Sequence, residues 1–137
     1  LEQHAIEINP NAIKFLENVI PKKNIINGSI LNFNPKKKYD LSLIKGVLIH
    51  INPDSLPLVY EALVKSTKNY LLIAEYYNPT PIAIEYRGHK EKLFKRDFAG
   101  EIMDLFPEMH LLNYGFAYHR DSNFPQDDIS WFLLKKG

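Results

Sequence analysis

The feature that most constrains the fold is the alternation of strand patterns with helix patterns along the chain. Residues 39–44 and 69–75 are rich in apolar side chains, which is typical of strands covered on both faces. Between them, residues 56–64 place apolar side chains three and four apart, the spacing of a helix that buries one side. This alternation predicts a three-layer α/β/α sandwich built on a mostly parallel sheet.

Shorter signals extend the alternation toward the start of the chain. Residues 4–8 and 24–27 predict two short strands. Asn9 and Pro10 supply the N-cap and the first position of a helix between these strands. The first part of the chain is therefore expected to be a strand, a helix and a second strand.

The second half of the chain ends differently. Residues 77–92 contain two prolines and a glycine and predict a long loop, after which Asp97 caps a helix. Residues 110–118 and 129–135 predict two further strands, and turn residues rather than a crossover helix connect them. These two strands are therefore expected to form an antiparallel pair at the end of the sheet.

Composition narrows the classes of partner. The 137 residues predict a single domain, and the net charge of +1 gives no general attraction for nucleic acid or membranes. The chain has no cysteine, which excludes disulfides and agrees with a predicted location in the cytoplasm. No apolar run approaches the ~20 residues that span a bilayer. Any basic binding site must therefore be local, and nucleic acid is not a favoured ligand.

The carboxyl ends of the predicted parallel strands collect side chains suited to chemistry. Ligands of open parallel sheets bind beyond these ends. His50 follows the strand at residues 39–44, so it falls on this rim. A lone histidine in an apolar stretch is also commonly a satisfied core residue. From the residues alone, both interpretations of His50 are open.

Two other strand ends carry candidate ligand-binding residues. A carboxylate at Glu7 is suited to accept both hydroxyls of a ribose, although strand-terminal acids also serve as helix caps or surface charges. Ser29 and Ile30 follow the turn residue Gly28 and could border an adenine ring. Ordinary turn chemistry explains this segment equally well.

Residues 86–96 form a basic segment with five Lys or Arg, one His and one acid. Tyr76 and Tyr77 precede it on the predicted loop. Basic groups beside aromatic rings are suited to a phosphorylated or stacked ligand. Loops of more than about a dozen residues are often binding segments, but a solubilising surface segment is the other interpretation.

Several kinds of site are not favoured. His119, Asp127 and Asp128 lie close in sequence, but their spacing is not that of a zinc site, so no metal is predicted. No serine lies in a G-x-S-x-G nucleophile motif. The glycines do not form the G-x-G-x-x-G pattern of an autonomous dinucleotide site either.

The chain resembles class I S-adenosylmethionine-dependent methyltransferases, and most closely the methylases associated with pseudaminic acid biosynthesis. The resemblance covers nearly the whole chain, and its last two segments are the most specific. Its segments are IEINPNAIKFL (6–16), NGSILNF (27–33), YDLSLIKGVLIHINPD (39–54), IAEYYNPTPIAIEYRGHKEKLFKRDFAGE (73–101) and NYGFAYHRDSNFPQDDISWFLL (113–134).

The resemblance implies an S-adenosylmethionine cofactor and a small, anionic, sugar-like acceptor. It implies that Glu7 binds the cofactor ribose, that Ser29 and Ile30 flank the adenine, and that Lys45 and Gly46 line the wall near the methionine part. His50 is implied to face the methyl group or the acceptor, and it is the candidate general base if the acceptor is a hydroxyl or an ammonium group. The implied acceptor-binding residues are Tyr76, Tyr77, Arg87, His89, Lys92, Lys95 and Arg96.

In the family, a first strand, a glycine-rich loop and a helix precede the segment that corresponds to Leu1. Three arrangements are open. The chain is part of a longer polypeptide, a second copy or partner chain supplies the central strand, or the neighbouring strands close the gap and cofactor binding is lost. The last arrangement corresponds to an alternative function, a non-catalytic module that binds a sugar, a nucleotide or a partner chain.

Overall fold

The computed structural model describes residues 1–86 and 91–137. The chain divides into two compact units, Leu1–Pro35 and Lys36–Gly137, each with its own strand pairing. The expectation of a single domain stays a prediction. Within the described residues the longest helix has 11 residues, and no helix is long and apolar enough to cross a membrane.

The first unit is a parallel strand–helix–strand arrangement, as predicted. The Asn9 side chain accepts the N–H of Asn11 at 2.9 Å, which confirms the helix cap. Parallel pairing sets Glu7 opposite Asn27, so the carboxyl ends of the two strands lie side by side. The elements are β1 (Ala5–Glu7), α1 (Pro10–Leu16) and β2 (Ile25–Asn27).

The second unit contains a mixed four-stranded sheet in the order β3-β4-β8-β7 and a separate hairpin of β5 and β6. Strands β3 and β4 are parallel, whereas β8 runs antiparallel to both of its neighbours. The predicted antiparallel pair at the end of the chain is therefore confirmed. The elements are β3 (Tyr39–Lys45), α2 (Leu56–Ser66), β4 (Thr67–Glu75), β5 (Ile82–Tyr86), β6 (Glu91–Lys95), α3 (Phe98–Leu105), β7 (Met109–Ala117) and β8 (Ile129–Lys136).

Helices α2 and α3 lie on the same face of the four-stranded sheet. The Tyr60 hydroxyl on α2 donates to the Glu101 carboxylate on α3 at 2.5 Å and connects the two helices. Burying a valine, leucine or isoleucine side chain completely stabilises a fold by about 1.5–3 kcal/mol. The most completely buried apolar side chains between these helices and the sheet are Leu56, Val59, Leu71, Ile73, Ile102 and Leu134.

The end of α2 is fastened to the last strand of the sheet. The Lys136 ammonium on β8 donates to the carbonyl oxygens of Val64 at 2.6 Å and Thr67 at 3.1 Å. Carbonyls at a helix C-terminus lack intrahelical partners and favour a nearby cation. Partial burial lowers the pKa of Lys136, but these two acceptors compensate for the lost water contacts.

The prediction of a long loop over residues 77–92 is wrong, because β5 lies within it and pairs with β6, which begins at Glu91. Ile82 lies opposite Lys95, and Ile84 lies opposite Leu93, which is buried. Apolar residues at alternate positions are typical of a strand, because successive side chains of a strand point to opposite faces of the sheet. The prolines that suggested a loop precede β5 and do not interrupt it.

Candidate functional site

The chain turns tightly directly after β3, at the carboxyl end of the four-stranded sheet. Gly46 has a φ of 65°, a conformation that glycine adopts without steric cost, and its N–H donates to the Ala74 carbonyl at 3.0 Å. A 3₁₀ turn at Leu48–His50 follows, and its last residue, His50, is exposed. The interpretation of His50 as a buried core histidine is therefore wrong.

The carboxylate of Glu75, the last residue of β4, holds this turn. One of its oxygens accepts the N–H groups of Val47 and Leu48, each at 3.0 Å, and the other accepts that of Ile49 at 3.4 Å. The side chain is 3% exposed, and burial raises the pKa of Glu75 from 4.5 to about 7, although the N–H donors oppose this rise. Sequence reasoning missed Glu75. The available signal was an acid at the end of an apolar strand.

Two polar contacts connect the ends of β3 and β4 to residues before β8. The Lys45 ammonium donates to the Gln126 side-chain oxygen at 2.7 Å, and the Tyr76 hydroxyl donates to the Asp127 carboxylate. The Lys95 ammonium lies 5.3 Å from the centre of the Tyr76 ring, within the range of a cation–π interaction. Lys45, Tyr76 and Lys95, all predicted site residues, thus gather at one rim of the sheet.

A group of aromatic side chains, here called the aromatic surface, extends from the end of β4 across β8 to β7. The ring centres of Tyr77 and Phe132 are 5.8 Å apart, and those of Phe132 and Tyr114 are 6.4 Å apart. Phe116 and Tyr118 form a further pair at 6.2 Å. All except Phe132 are exposed, so the surface offers ring faces and hydroxyl groups to a ligand.

Arg96 is engaged within the protein. Its guanidinium reaches one Glu101 oxygen through Nε at 2.7 Å and through Nη2 at 2.5 Å, while the Tyr60 hydroxyl donates to the other oxygen. Burial, together with the Glu101 carboxylate, raises the pKa of Tyr60. Arg96 therefore has a structural partner, although the sequence predicted it for an anionic acceptor.

Two of the other predicted basic residues, Lys92 and Lys95, lie on β6. Lys92 is on β6 and is exposed. Arg87 and His89 lie outside the described residues. The hairpin therefore presents Lys92 to solvent, while Lys95 on the same strand contacts Tyr76.

In the first unit, Glu7 organises the turn that follows β1. Its Oε1 atom accepts the N–H groups of Ile8 and Asn9, both at 2.9 Å. Its backbone carbonyl accepts the N–H of Gly28 at 3.0 Å, which joins the ends of β1 and β2. These contacts fix the direction of the carboxylate, and a carboxylate has capacity for about four hydrogen bonds.

Ser29 and Ile30 follow directly on the neighbouring strand. The Ser29 hydroxyl oxygen accepts the N–H of Leu31 at 3.1 Å and caps a short 3₁₀ turn. Ile30 is half-buried. Parallel pairing of β1 with β2 therefore brings Glu7, Ser29 and Ile30 to one end of the first unit, as the sequence predicted for these strand ends.

Asp128, near the C-terminus, has a local role. The backbone N–H and the Nδ1 atom of His119 both contact one oxygen of Asp128, at 3.0 and 2.9 Å. These hydrogen bonds lower the pKa of the Asp128 carboxyl. Among the residues that the structure describes, no group of three or more His, Asp or Glu side chains is arranged to hold a metal ion.

Comparison with known proteins gives a clear answer about the fold. No protein-family model matches the chain, and no curated protein matches it. Solved structures do match. TehB from Haemophilus influenzae is 19% identical to this chain, and the glycopeptide N-methyltransferase MtfA with bound S-adenosylmethionine is 8% identical. The TM-scores are 0.63 and 0.64, and the matches cover 99% and 98% of this chain.

Two further solved structures contain S-adenosylhomocysteine. These are DhpI, at 11% identity and a TM-score of 0.62, and a Burkholderia thailandensis 1,6-didemethyltoxoflavin-N1-methyltransferase, at 10% and 0.64. The chain spans 66% of DhpI, 50% of TehB and 72% of the Burkholderia protein. The chain therefore has a methyltransferase-like α/β fold, which confirms the predicted fold class.

Proposed function

We propose that this chain takes part in methyl transfer from S-adenosylmethionine to a small acceptor. The observation that carries the proposal is the fold, because 98% of the chain aligns with a methyltransferase that holds S-adenosylhomocysteine. The predicted cofactor residues also lie at the carboxyl ends of parallel strands, which is where ligands bind in open α/β sheets.

The proposed cofactor contacts follow from the chemistry of these strand ends. Glu7 would accept the ribose hydroxyls, because the N–H groups of Ile8 and Asn9 orient its carboxylate and leave it further acceptor capacity. Ser29 and Ile30 would border the adenine. Lys45 and Gly46 would border the methionine part. A β-carbon at Gly46 would meet no atom within 4 Å, so the turn has open space beside it.

The proposed acceptor is a small, anionic, sugar-like molecule, such as a nucleotide-sugar or a sugar of the pseudaminic acid type. Lys92 and Lys95 supply positive charge on the hairpin, and Tyr76 and Tyr77 supply ring faces at the end of β4. Arg87 and His89, outside the described residues, would add charge to the same segment. Arg96 would contribute less, because Glu101 already pairs with it.

The chain's contribution to the reaction is positioning and proton removal. Bound S-adenosylmethionine supplies a methyl group on a positively charged sulfur. Methyl transfer to an acceptor oxygen is an in-line displacement, so the orientation of the reactants supplies most of the acceleration. His50 would remove the proton of the acceptor hydroxyl, because an exposed imidazole at the strand rim is a suitable general base.

The test is a calorimetric titration of S-adenosylhomocysteine into the 137-residue chain and two variants. We expect micromolar affinity, and we expect Glu7→Gln to weaken it about tenfold, or about 1.4 kcal/mol. Glu17→Gln is the matched control, because Glu17 is an acid of the same unit that pairs only loosely with Lys22 at 3.7 Å. Absence of binding to the wild-type chain would contradict the proposal and favour a non-catalytic module.

A further inference from the structure

Three successive backbone N–H groups converge on one buried carboxylate at the end of the parallel strands. Val47, Leu48 and Ile49 donate to Glu75, which is 3% exposed. The pairing of β3 with β4 sets Lys45 opposite Ala74, so the last residue of β4 lies beside the turn that follows β3. The two strand ends are therefore joined by a side chain as well as by the sheet.

An acid at this position is unfavourable unless it has a specific role. A buried carboxylate loses its hydration, and only hydrogen bonds to its oxygens compensate for that loss. An apolar side chain at the end of β4 would avoid the loss but would leave the N–H groups of Val47 and Leu48 without these acceptors. The contacts therefore indicate that Glu75 is present to hold the turn.

The turn that Glu75 holds carries His50. The His50 N–H donates to the Val47 carbonyl at 3.0 Å, and the Leu48 N–H, which belongs to the same peptide group as that carbonyl, donates to Glu75 at 3.0 Å. A continuous series of hydrogen bonds thus runs from the carboxylate through one peptide group to the backbone of the proposed base.

We propose that Glu75 is a positioning residue whose carboxylate orients the turn after β3 and thereby directs the His50 imidazole toward the acceptor. The inference rests on the proposed function, because it gives that function's general base its orientation. Glu75 itself is not expected to touch the cofactor or the acceptor.

The test is nuclear magnetic resonance of the wild-type chain, Glu75→Gln and Glu75→Ala between pH 5 and 9. In the wild type, the Val47 and Leu48 amide resonances should titrate with a midpoint near the Glu75 pKa of about 7. In Glu75→Gln they should not titrate, and the His50 imidazole resonances should shift. In Glu75→Ala, exchange of these two amides with solvent should accelerate about tenfold or more.

The matched control is Glu61→Gln, which removes an exposed carboxylate of α2 paired with Lys65 at 2.8 Å and should leave all these signals unchanged. If Glu75→Ala does not fold, the isosteric Glu75→Gln decides the question. Unmoved His50 resonances in a folded Glu75→Gln chain that still binds S-adenosylhomocysteine would overturn the positioning role alone. Absence of that binding in the wild type would overturn the proposed function, and the positioning role with it.

Discussion

The indole of Trp131 lies directly over Gly115, its cross-strand neighbour on the β7–β8 pair. A β-carbon at Gly115 would lie 2.6 Å from the indole atoms Cε2 and Cζ2. No real β-carbon approaches a ring this closely, so the position requires glycine while the indole stays in place. This contact sets the packing of the two strands that also carry the aromatic surface.

Gly115→Ala is expected to destabilise the second unit by about 1–3 kcal/mol, because the new methyl group must displace the indole. The measurement is urea unfolding followed by the fluorescence of Trp131, the one tryptophan in the chain. Gly28→Ala is the control, since a β-carbon there would meet only Ile26 at 3.9 Å. Equal unfolding midpoints for Gly115→Ala and the wild type would contradict the close contact.

Glu75 is expected to make stability depend on pH. Its pKa is raised from 4.5 to about 7 by burial, so the folded state binds more protons than the unfolded state between these values. The associated stabilisation is present below pH 4.5 and is lost as the pH rises through about 7. The Glu75→Gln variant has no titrating group at this position and does not lose this stabilisation. The free energy of unfolding of the variant, minus that of the wild type, should therefore rise by up to about 3 kcal/mol from low to high pH.

The measurement for this prediction is urea unfolding of both proteins from pH 4.5 to 8.5. Below the transition, the wild type should be the more stable protein, because a glutamine amide cannot accept hydrogen bonds on both of its polar atoms. Parallel pH profiles would show that Glu75 titrates as an ordinary exposed acid.

Arg96→Lys is expected to lower stability by about 1–3 kcal/mol although the charge is kept, because lysine lacks the planar fork that reaches Glu101 twice. Both side chains are mostly buried, with 20% and 27% exposed, so solvent screens the pair only partly. Lys92→Gln, at an exposed position of the preceding strand β6, should leave the unfolding midpoint unchanged. Equal stability of Arg96→Lys and wild type would return Arg96 to the set of residues available for an acceptor.

His50→Ala is expected to separate catalysis from cofactor binding. S-adenosylhomocysteine affinity should stay within about twofold, whereas methyl transfer should fall by about 10²–10⁴, the usual contribution of a general base. The measurements are calorimetry and transfer of a labelled methyl group to a series of nucleotide-sugars. Unchanged transfer by His50→Ala would remove His50 from the mechanism.

The sequence alone determined the order of the main elements, because their signals are local. Asn9 and Asp97 cap helices in the structure as predicted, since each accepts an N–H only two or three residues ahead. The apolar spacing in α2 and the apolar run in β4 likewise report burial within a continuous stretch of chain. The resemblance of short motifs also indicated the fold class, and the comparison with solved structures confirms it.

Only the tertiary structure determined which residues of these elements contact one another in the candidate site. Val47 and Glu75 are 28 residues apart and Tyr60 and Glu101 are 41 apart, so no local pattern reveals that they meet. The β5–β6 hairpin was missed because nearby prolines and a glycine outweighed a weak alternation of apolar residues. Strand pairing and helix packing bring these distant groups together, and the burial that results gives Glu75 its raised pKa and Arg96 its structural partner.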